Sequence, residues 1–385
     1  MDQEYTPLDL SMLDLSTPLP TYPADFRSGF ASLVGRPNAG KSTLTNAMVG
    51  QKVAITSNRP QTTRHTIRGI VHKDEYQLIL VDTPGIHRPR TLLGERLNDL
   101  VASTLSQVDV LGFCIPANEK IGPGDRYIAS QLVASSNKPV VAIVTKADTV
   151  SSEELREQLL AVEALGEEVM SAERAARAKR AAHRAKQKGK GPKGKGGKND
   201  AVPFAKGSGP AAKRRSGEVA EPMPVDGKGG WAAIIPVSAV KHFQVDAVAD
   251  LLAQYTPLSP PLYPDGELTD EPEATLIAEL VREAALEGAR EELPHSIAVT
   301  VEEMEFREGR PEDNPLLDVH VNLYVERESQ KYIIIGKGGS NLRKIGTKAR
   351  EQIEAMLGTR IYLNIHVKVA KEWQSDARAL NRLGF

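Results

Sequence analysis

Short apolar runs rich in β-branched residues recur along the first two thirds of the chain, at Phe30–Val34, Gln77–Val81, Val110–Ile115, Pro139–Val144 and Ala232–Val237. Polar or helix-periodic stretches separate them, Thr43–Val49 among these, so the runs read as strands buried on both faces. That rhythm predicts an α/β fold with a doubly wound, mainly parallel sheet. Residues 1–26 lie ahead of it with Pro18, Pro20 and Pro23 and no sustained apolar period, and they read as a disordered tail. From Ser152 to about Met170 the spacing predicts a helix, which runs into Ala/Arg/Lys-rich sequence and then a Lys/Gly repeat at Gly189–Lys198. Such a repeat cannot bury a core, which predicts a disordered insertion over roughly 172–228 inside a first domain of 27–256.

The proline-dotted stretch 257–270 predicts a stiff linker. A second unit follows over 271–385. Pro272–Ala289 has helical spacing, Ser296–Phe306 and Leu317–Arg327 alternate like strands, Ser340–Leu357 is helical and Arg360–Ala370 alternates again. The predicted order is helix, strand, strand, glycine loop between helices, strand, an α+β domain.

Composition adds three constraints. With 385 residues, 40% of them hydrophobic, the chain can fill more than one core. No apolar run reaches the ~18 residues of a membrane span, and the N-terminus lacks a basic start followed by an apolar stretch, so spanning and secretion are not expected. Cys114, the single cysteine, cannot form an intramolecular disulfide and reads as a core thiol within its strand. The net charge of −1 conceals an asymmetry: residues 171–215 hold 15 Lys and Arg against Glu173 and Asp200, a local +13 that leaves −14 for the remainder.

The first chemical signal is Gly35-Arg36-Pro37-Asn38-Ala39-Gly40-Lys41-Ser42, placed after a predicted strand and before a helix that continues through Thr43. That context suits a P-loop, in which the glycines let backbone N–H groups curl around phosphates, Lys41 supplies charge to the β and γ phosphates, and the Ser42 hydroxyl ligates Mg²⁺. A P-loop alone separates neither ATP from GTP nor hydrolysis from phosphoryl transfer. Asp82-Thr83-Pro84-Gly85 ends the next long strand, where Asp82 can hold a Mg²⁺-bound water and the Gly85 N–H can meet the γ phosphate. Thr145-Lys146-Ala147-Asp148 ends another, and Asp148 can accept from guanine N1 and N2, which adenine cannot match. Val237-Ser238-Ala239 follows a further strand, where a backbone N–H can reach guanine O6. Between the P-loop and Asp82, Gln61-Thr62-Thr63-Arg64 offers Thr63 as a second Mg²⁺ hydroxyl that senses the γ phosphate. Lys41, Thr63 and Gly85 are therefore the catalytic candidates.

In the second unit, Gly336-Lys337-Gly338-Gly339 is a G-x-x-G loop ahead of a basic helix carrying Arg343, Lys344, Lys348 and Arg350. Set in the order derived above, it favours a type II KH domain, whose loop approaches nucleic-acid phosphates beside an apolar groove for unstacked bases.

These residues resemble the bacterial Era GTPases. The carriers are the P-loop at 35–42, Pro60-Gln-Thr-Thr-Arg-His65, Asp82–Gly85 and Thr145–Asp148, with Pro294–Ser296, Glu328–Lys331 and Lys371–Trp373 in the second unit. The resemblance covers about 28–150 and 230–385. It implies a Ras-like GTPase fold, GTP and GDP with Mg²⁺ as ligands, and binding of 16S ribosomal RNA near its 3′ end during maturation of the small (30S) subunit. It also implies a cytoplasmic monomer with peripheral contact to the cell membrane. The family's guanine motif opens with Asn where this chain has Thr145, which predicts weaker bracing of that loop. Ile86 stands where Ras-like proteins place a water-orienting glutamine. Some related enzymes use K⁺ there instead of an arginine finger, and Asn38 matches their K⁺-ligating position, with Thr62 offering a backbone oxygen. Two other classes stay open on the sequence: a nucleotide-gated RNA-binding module with negligible turnover, and an ATP-dependent RNA-remodelling enzyme.

Overall fold

The computed structural model of the chain describes residues 22–56, 64, 66–85, 91–135, 138–188, 230–287, 296–311 and 313–385. In the first unit β1 (Arg27–Val34), β2 (Ile67–His72), β3 (Tyr76–Asp82), β4 (Val110–Pro116), β5 (Val140–Thr145) and β6 (Ala233–Pro236) form one sheet ordered β2-β3-β1-β4-β5-β6. Every pairing is parallel except β2 with β3. Helices α1 (Lys41–Val49), α2 (Leu92–Gln107), α3 (Pro123–Ser135), α4 (Ser152–Lys188) and α5 (Val245–Ala253) cover the faces.

Strand alternation divides the core in two. Val34, Phe113, Ile115 and Val144 point to one face with Leu132 and Trp231, while Leu33, Cys114 and Ile143 point to the other with Leu44, Leu78 and Leu252. Every residue of β3, β4 and β5 is buried, as strands covered on both faces must be. The apolar pattern does not announce β2, an edge strand that runs unbroken through Arg68 and Gly69.

α4 corrects the insertion's expected start. Residues 172–188, expected to be disordered, continue the helix. The Ala, Arg and Lys that fill them are strong helix formers, and the helix ends where the Gly-rich repeat begins. The rest of that stretch, to 229, and the tail before residue 22 lie outside the described residues. Downstream, buried Trp231 returns to α4, donating from Nε1 to the Val162 carbonyl at 2.8 Å and packing 5.6 Å from the Phe113 ring.

The second unit comprises α6 (Glu273–Glu287), β7 (Ala298–Phe306), β8 (Leu316–Val325), α7 (Glu328–Ile335), α8 (Ser340–Leu357), β9 (Arg360–Val369) and α9 (Ala377–Arg382). β8 pairs antiparallel with β7 and parallel with β9, and α6 and α8 cover the sheet's apolar face.

Residues 257–270 lie bonded against the first unit. Ser28 N donates to the Pro257 carbonyl, Ile70 N to that of Leu268, and the buried Gln77 Oε1 accepts from Leu262 N and Tyr263 N. A small core joins the two units, in which Leu93 and Leu97 of α2 pack with Ala298, Trp373, Leu380 and Leu383.

Candidate nucleotide site and RNA-binding face

The P-loop turns between β1 and α1. Asn38 sits at φ 63°, Gly40 caps α1 at φ 85°, and the helix opens with Lys41. The first amides of α1 therefore converge with the Lys41 ammonium, an anion-binding arrangement. Lys41 Nζ donates to the carbonyls of Gly35 at 3.3 Å and Arg36 at 3.1 Å. Burial lowers its pKa from the usual lysine value, opposed by the nearby Asp82 carboxylate.

Ser42 Oγ donates to Asp82 Oδ2 at 2.6 Å, so the end of β3 meets the first turn of α1. Asp82 is fully buried, and Thr83 beside it donates from Oγ1 to the Leu33 carbonyl at 3.1 Å. A hydroxyl and a carboxylate converging there are hard oxygen donors, which suits Mg²⁺ held by one or two protein groups plus nucleotide phosphates. Among the described residues no group of three or more His, Cys, Asp or Glu forms an all-protein metal cage. Pro84 and Gly85 bring the strand's continuation against the P-loop, where a Cβ on Gly85 would stand 2.9 Å from Pro37 N. Thr63, its neighbour Thr62 and Ile86 lie outside the described residues.

On the far side of the P-loop, Thr145 Oγ1 donates to the Ala39 carbonyl at 2.7 Å. That bond ties the end of β5 to the P-loop. Lys146 takes φ 57°, turning the chain into the short 3₁₀ segment Ala147–Thr149 that leaves Asp148 exposed. Ala147 N donates to the Val237 carbonyl at 3.1 Å, which ties the turn bearing Asp148 to the segment that continues into Ser238 and Ala239. Ser238 is itself held by paired backbone bonds to Phe243 and accepts from Lys241 N through Oγ. Thr43 follows Ser42 on the half-buried side of α1.

Several partners in this region carried no sequence signal. Arg36 donates from Nε to the buried Asp125 at 2.7 Å and pairs with Glu119, which also reaches Lys146. That ionic chain ties the P-loop to the Thr145–Asp148 turn through Glu119, a carboxylate belonging to neither motif.

In the second unit Gly336, Gly338 and Gly339 all have positive φ, and Lys337–Gly339 form one 3₁₀ turn between α7 and α8. Lys337 and Gly338 are exposed. Beside the turn, Gly339, Leu342, Arg343, Arg350, Tyr362 and Ile365 line a cleft of about 440 Å³ between α8 and β9. Arg343 and Lys344 are exposed. Lys348, expected at the same surface, pairs with Glu287 of α6. Five residues along a helix from Arg343 turn about 140°, which takes Lys348 off the cleft face. Ile334 and Ile345 are core, while Tyr332 and Ile333 stand exposed beside the glycine turn.

Comparison with known proteins matches residues 30–146 to the family model described as 50S ribosome-binding GTPase and residues 292–374 to the KH domain. The GTPase Era of Streptomyces coelicolor is 55% identical over 93% of this chain and 95% of its own length. That of Mycobacterium avium is 54% identical over 94% and 99% respectively. Among solved structures, an Era from Aquifex aeolicus bound to GDP·AlF4⁻ superposes with a TM-score of 0.72 at 29% identity, covering 93% of this chain and 99% of that one. An Era in complex with MgGDPNP and nucleotides 1506–1542 of 16S ribosomal RNA gives 0.73 at 30% identity with the same coverage. Among the described residues no helix is long and apolar enough to cross a membrane.

Proposed function

The chain belongs to the Era family of GTPases, and from that premise we propose that it hydrolyses GTP as a timed assembly factor, holding 16S ribosomal RNA near its 3′ end while the small ribosomal subunit matures. Guanine-nucleotide binding and GTP hydrolysis come with the family. The observation that carries the residue assignment is the meeting of Ser42 and Asp82 at 2.6 Å beside Lys41, at the N-terminus of α1.

In this reading the P-loop residues 35–43 cradle the phosphates, and Lys41 neutralises charge on the β and γ groups. Ser42, Thr63 and, through water, Asp82 would hold Mg²⁺, which would supply positive charge to offset that developing on the phosphates. Gly85 presents its N–H to the γ phosphate, close to Pro37. Asp148 reads guanine, supported by Lys146, Ser238 and Ala239 on the loop that the Ala147–Val237 bond closes. With Ile86 in place of a glutamine, the exposed Asn38 would hold K⁺, which would supply positive charge to stabilise the leaving group. RNA lies over Gly336–Gly339 and enters the cleft past Arg343 and Arg350, with Lys344 at its edge, while the Tyr362 face offers stacking. A cytoplasmic monomer with peripheral membrane contact completes the reading, supported by the family resemblance alone.

Replacing Asp148 by Asn tests the base assignment, because an amide cannot accept from both guanine N1 and N2. Preference should move from guanosine toward xanthosine nucleotides by orders of magnitude. Unchanged GTP affinity in that variant would refute it.

A further inference from the structure

Arg36 extends its side chain from the P-loop to a carboxylate that the core already holds in place. Asp125, the third residue of α3, is fully buried. Its Oδ2 accepts from Gly122 N at 2.8 Å, the reach of a first-turn carboxylate back to the residue ahead of its helix. Its Oδ1 accepts from Arg36 Nε at 2.7 Å. The first turn of α3 leaves room for this approach, because Gly124 has no side chain and a Cβ there would stand 3.1 Å from Arg36 Cδ. The segment leading into α3 is fixed in turn. The buried Gln158 of α4 donates from Nε2 to the carbonyls of Pro116 and Glu119, each at 3.0 Å, and Ala117 N donates to the Thr145 carbonyl at 2.7 Å.

The backbone of Arg36 faces the phosphate site. Its carbonyl accepts from Ala39 N at 3.3 Å, which closes the turn of the loop, and from Lys41 Nζ at 3.1 Å. One residue thus holds both the curvature of the loop and the lysine through its backbone, and meets α3 through its side chain. Glu119, the second carboxylate on the guanidinium, is 43% exposed, a setting in which an ion pair adds little. Asp125 is shut away from water and makes a charge-assisted bond, the stronger class. Of the two carboxylates, Asp125 therefore decides where Arg36 sits.

We propose that Asp125 is a positioning residue for nucleotide binding: through Arg36 it fixes the carbonyl on which Lys41 rests, and so sets the cradle for the β phosphate. The assignment rests on the nucleotide reading above and deepens it. A P-loop and its lysine grip the β and γ phosphates, so GDP and GTP depend on Asp125 alike. GMP, which ends at the α phosphate, is indifferent to it.

The test uses the full chain, titrated with fluorescent GDP and a fluorescent non-hydrolysable GTP analogue, with GMP measured by competition against the first. Asp125→Ala should weaken GDP and the analogue together by about tenfold, the effect of a lost charge-assisted bond, and leave GMP within about twofold. Arg36→Ala keeps the bond from Gly122 N to Asp125 and should show the same fall in the GDP-to-GMP preference. The double variant should be no weaker than Asp125→Ala alone, since both changes break one connection. Equal weakening of GDP and GMP would reduce Asp125 to a support of α3, and that result, an unmoved GDP affinity, or additive losses in the double variant would overturn the proposal. Should Asp125→Ala fail to fold, Arg36→Ala reads the same preference, and an unmoved value there counts against the proposal. A wild-type chain that binds GDP no better than GMP would refute the nucleotide reading itself, a result distinct from a wild type that prefers GDP and variants that match it.

Discussion

The Thr145 hydroxyl donates a 2.7 Å hydrogen bond to the Ala39 carbonyl, joining the end of β5 to the P-loop at the position where the family's motif opens with asparagine. Both groups are buried, so removing the donor leaves an acceptor without water. Thr145→Val, nearly isosteric, should speed GDP release by about five- to tenfold, the equivalent of ~1 kcal/mol or slightly more. Thr145→Ser keeps the donor and should stay near wild type. Stopped-flow release of fluorescent GDP measures both, and identical rates for Val and wild type would show that the bond does not brace the loop.

Gly338 has φ 59°, and a Cβ built on it would meet nothing within 4 Å. The protein itself therefore leaves room for a side chain there. Gly338→Asp adds bulk and negative charge where a phosphate is expected, and aspartate tolerates left-handed backbone better than most residues. RNA affinity should fall at least tenfold, with GTP hydrolysis almost unchanged and the thermal midpoint lowered by only a few degrees through backbone strain. Filter binding beside a melting curve checks this; undiminished RNA binding would move the RNA contact away from the glycine turn.

Potassium supplies the third expectation. Replacing K⁺ by Na⁺ at constant ionic strength should slow GTP hydrolysis, and Asn38→Ala should make the rate indifferent to the exchange. Phosphate release measures it. An unchanged wild-type rate in Na⁺ would leave activation by a partner as the source of charge stabilisation.

Cys114 lies fully buried on β4, and desolvation pushes its thiol up to about 12, with Asp82 adding to the rise and Lys41 opposing it. At pH 8 only about one thiol in ten thousand would be ionised even where reagent could reach it. The native chain should resist a thiol-specific disulfide reagent for hours and react fully once unfolded. Rapid native labelling would contradict the buried setting.

How far the sequence speaks depends on the distance between partners. The P-loop, the strand-ending Asp82 and the glycine turn at 336–339 are local patterns, each compact enough to carry its own geometry, and the buried strands announce themselves by unbroken apolar runs. β2 escapes notice because Arg68 and Gly69 interrupt its apolar pattern and its partner β3 supplies most of the pairing. The extension of α4 is hidden by composition: Lys and Arg that suggest a solvated tail are also good helix formers as long as glycine stays away. Lys348 pairs with Glu287 of α6, a partner that counting charge along its own helix does not reveal. The junction of Glu283 with Thr56 and of Arg64 with Ile297 and Trp373 brings together residues more than 200 positions apart, and no local spacing encodes such a meeting.

The bonded stretch 257–270 bears on where this protein can be cut. A fragment ending at Thr256 would strip partners from Ser28 N, Ile70 N and Gln77, and would also lose Asp270, which pairs with Arg68 and accepts from the Tyr263 hydroxyl. Extending the fragment through Asp270 keeps all of these, along with the Arg27 contact to the Thr256 carbonyl. For dissection, the first domain's usable edge therefore falls at the approach to α6, although the prolines invite the scissors some fourteen residues earlier, as counted from Thr256 to Asp270.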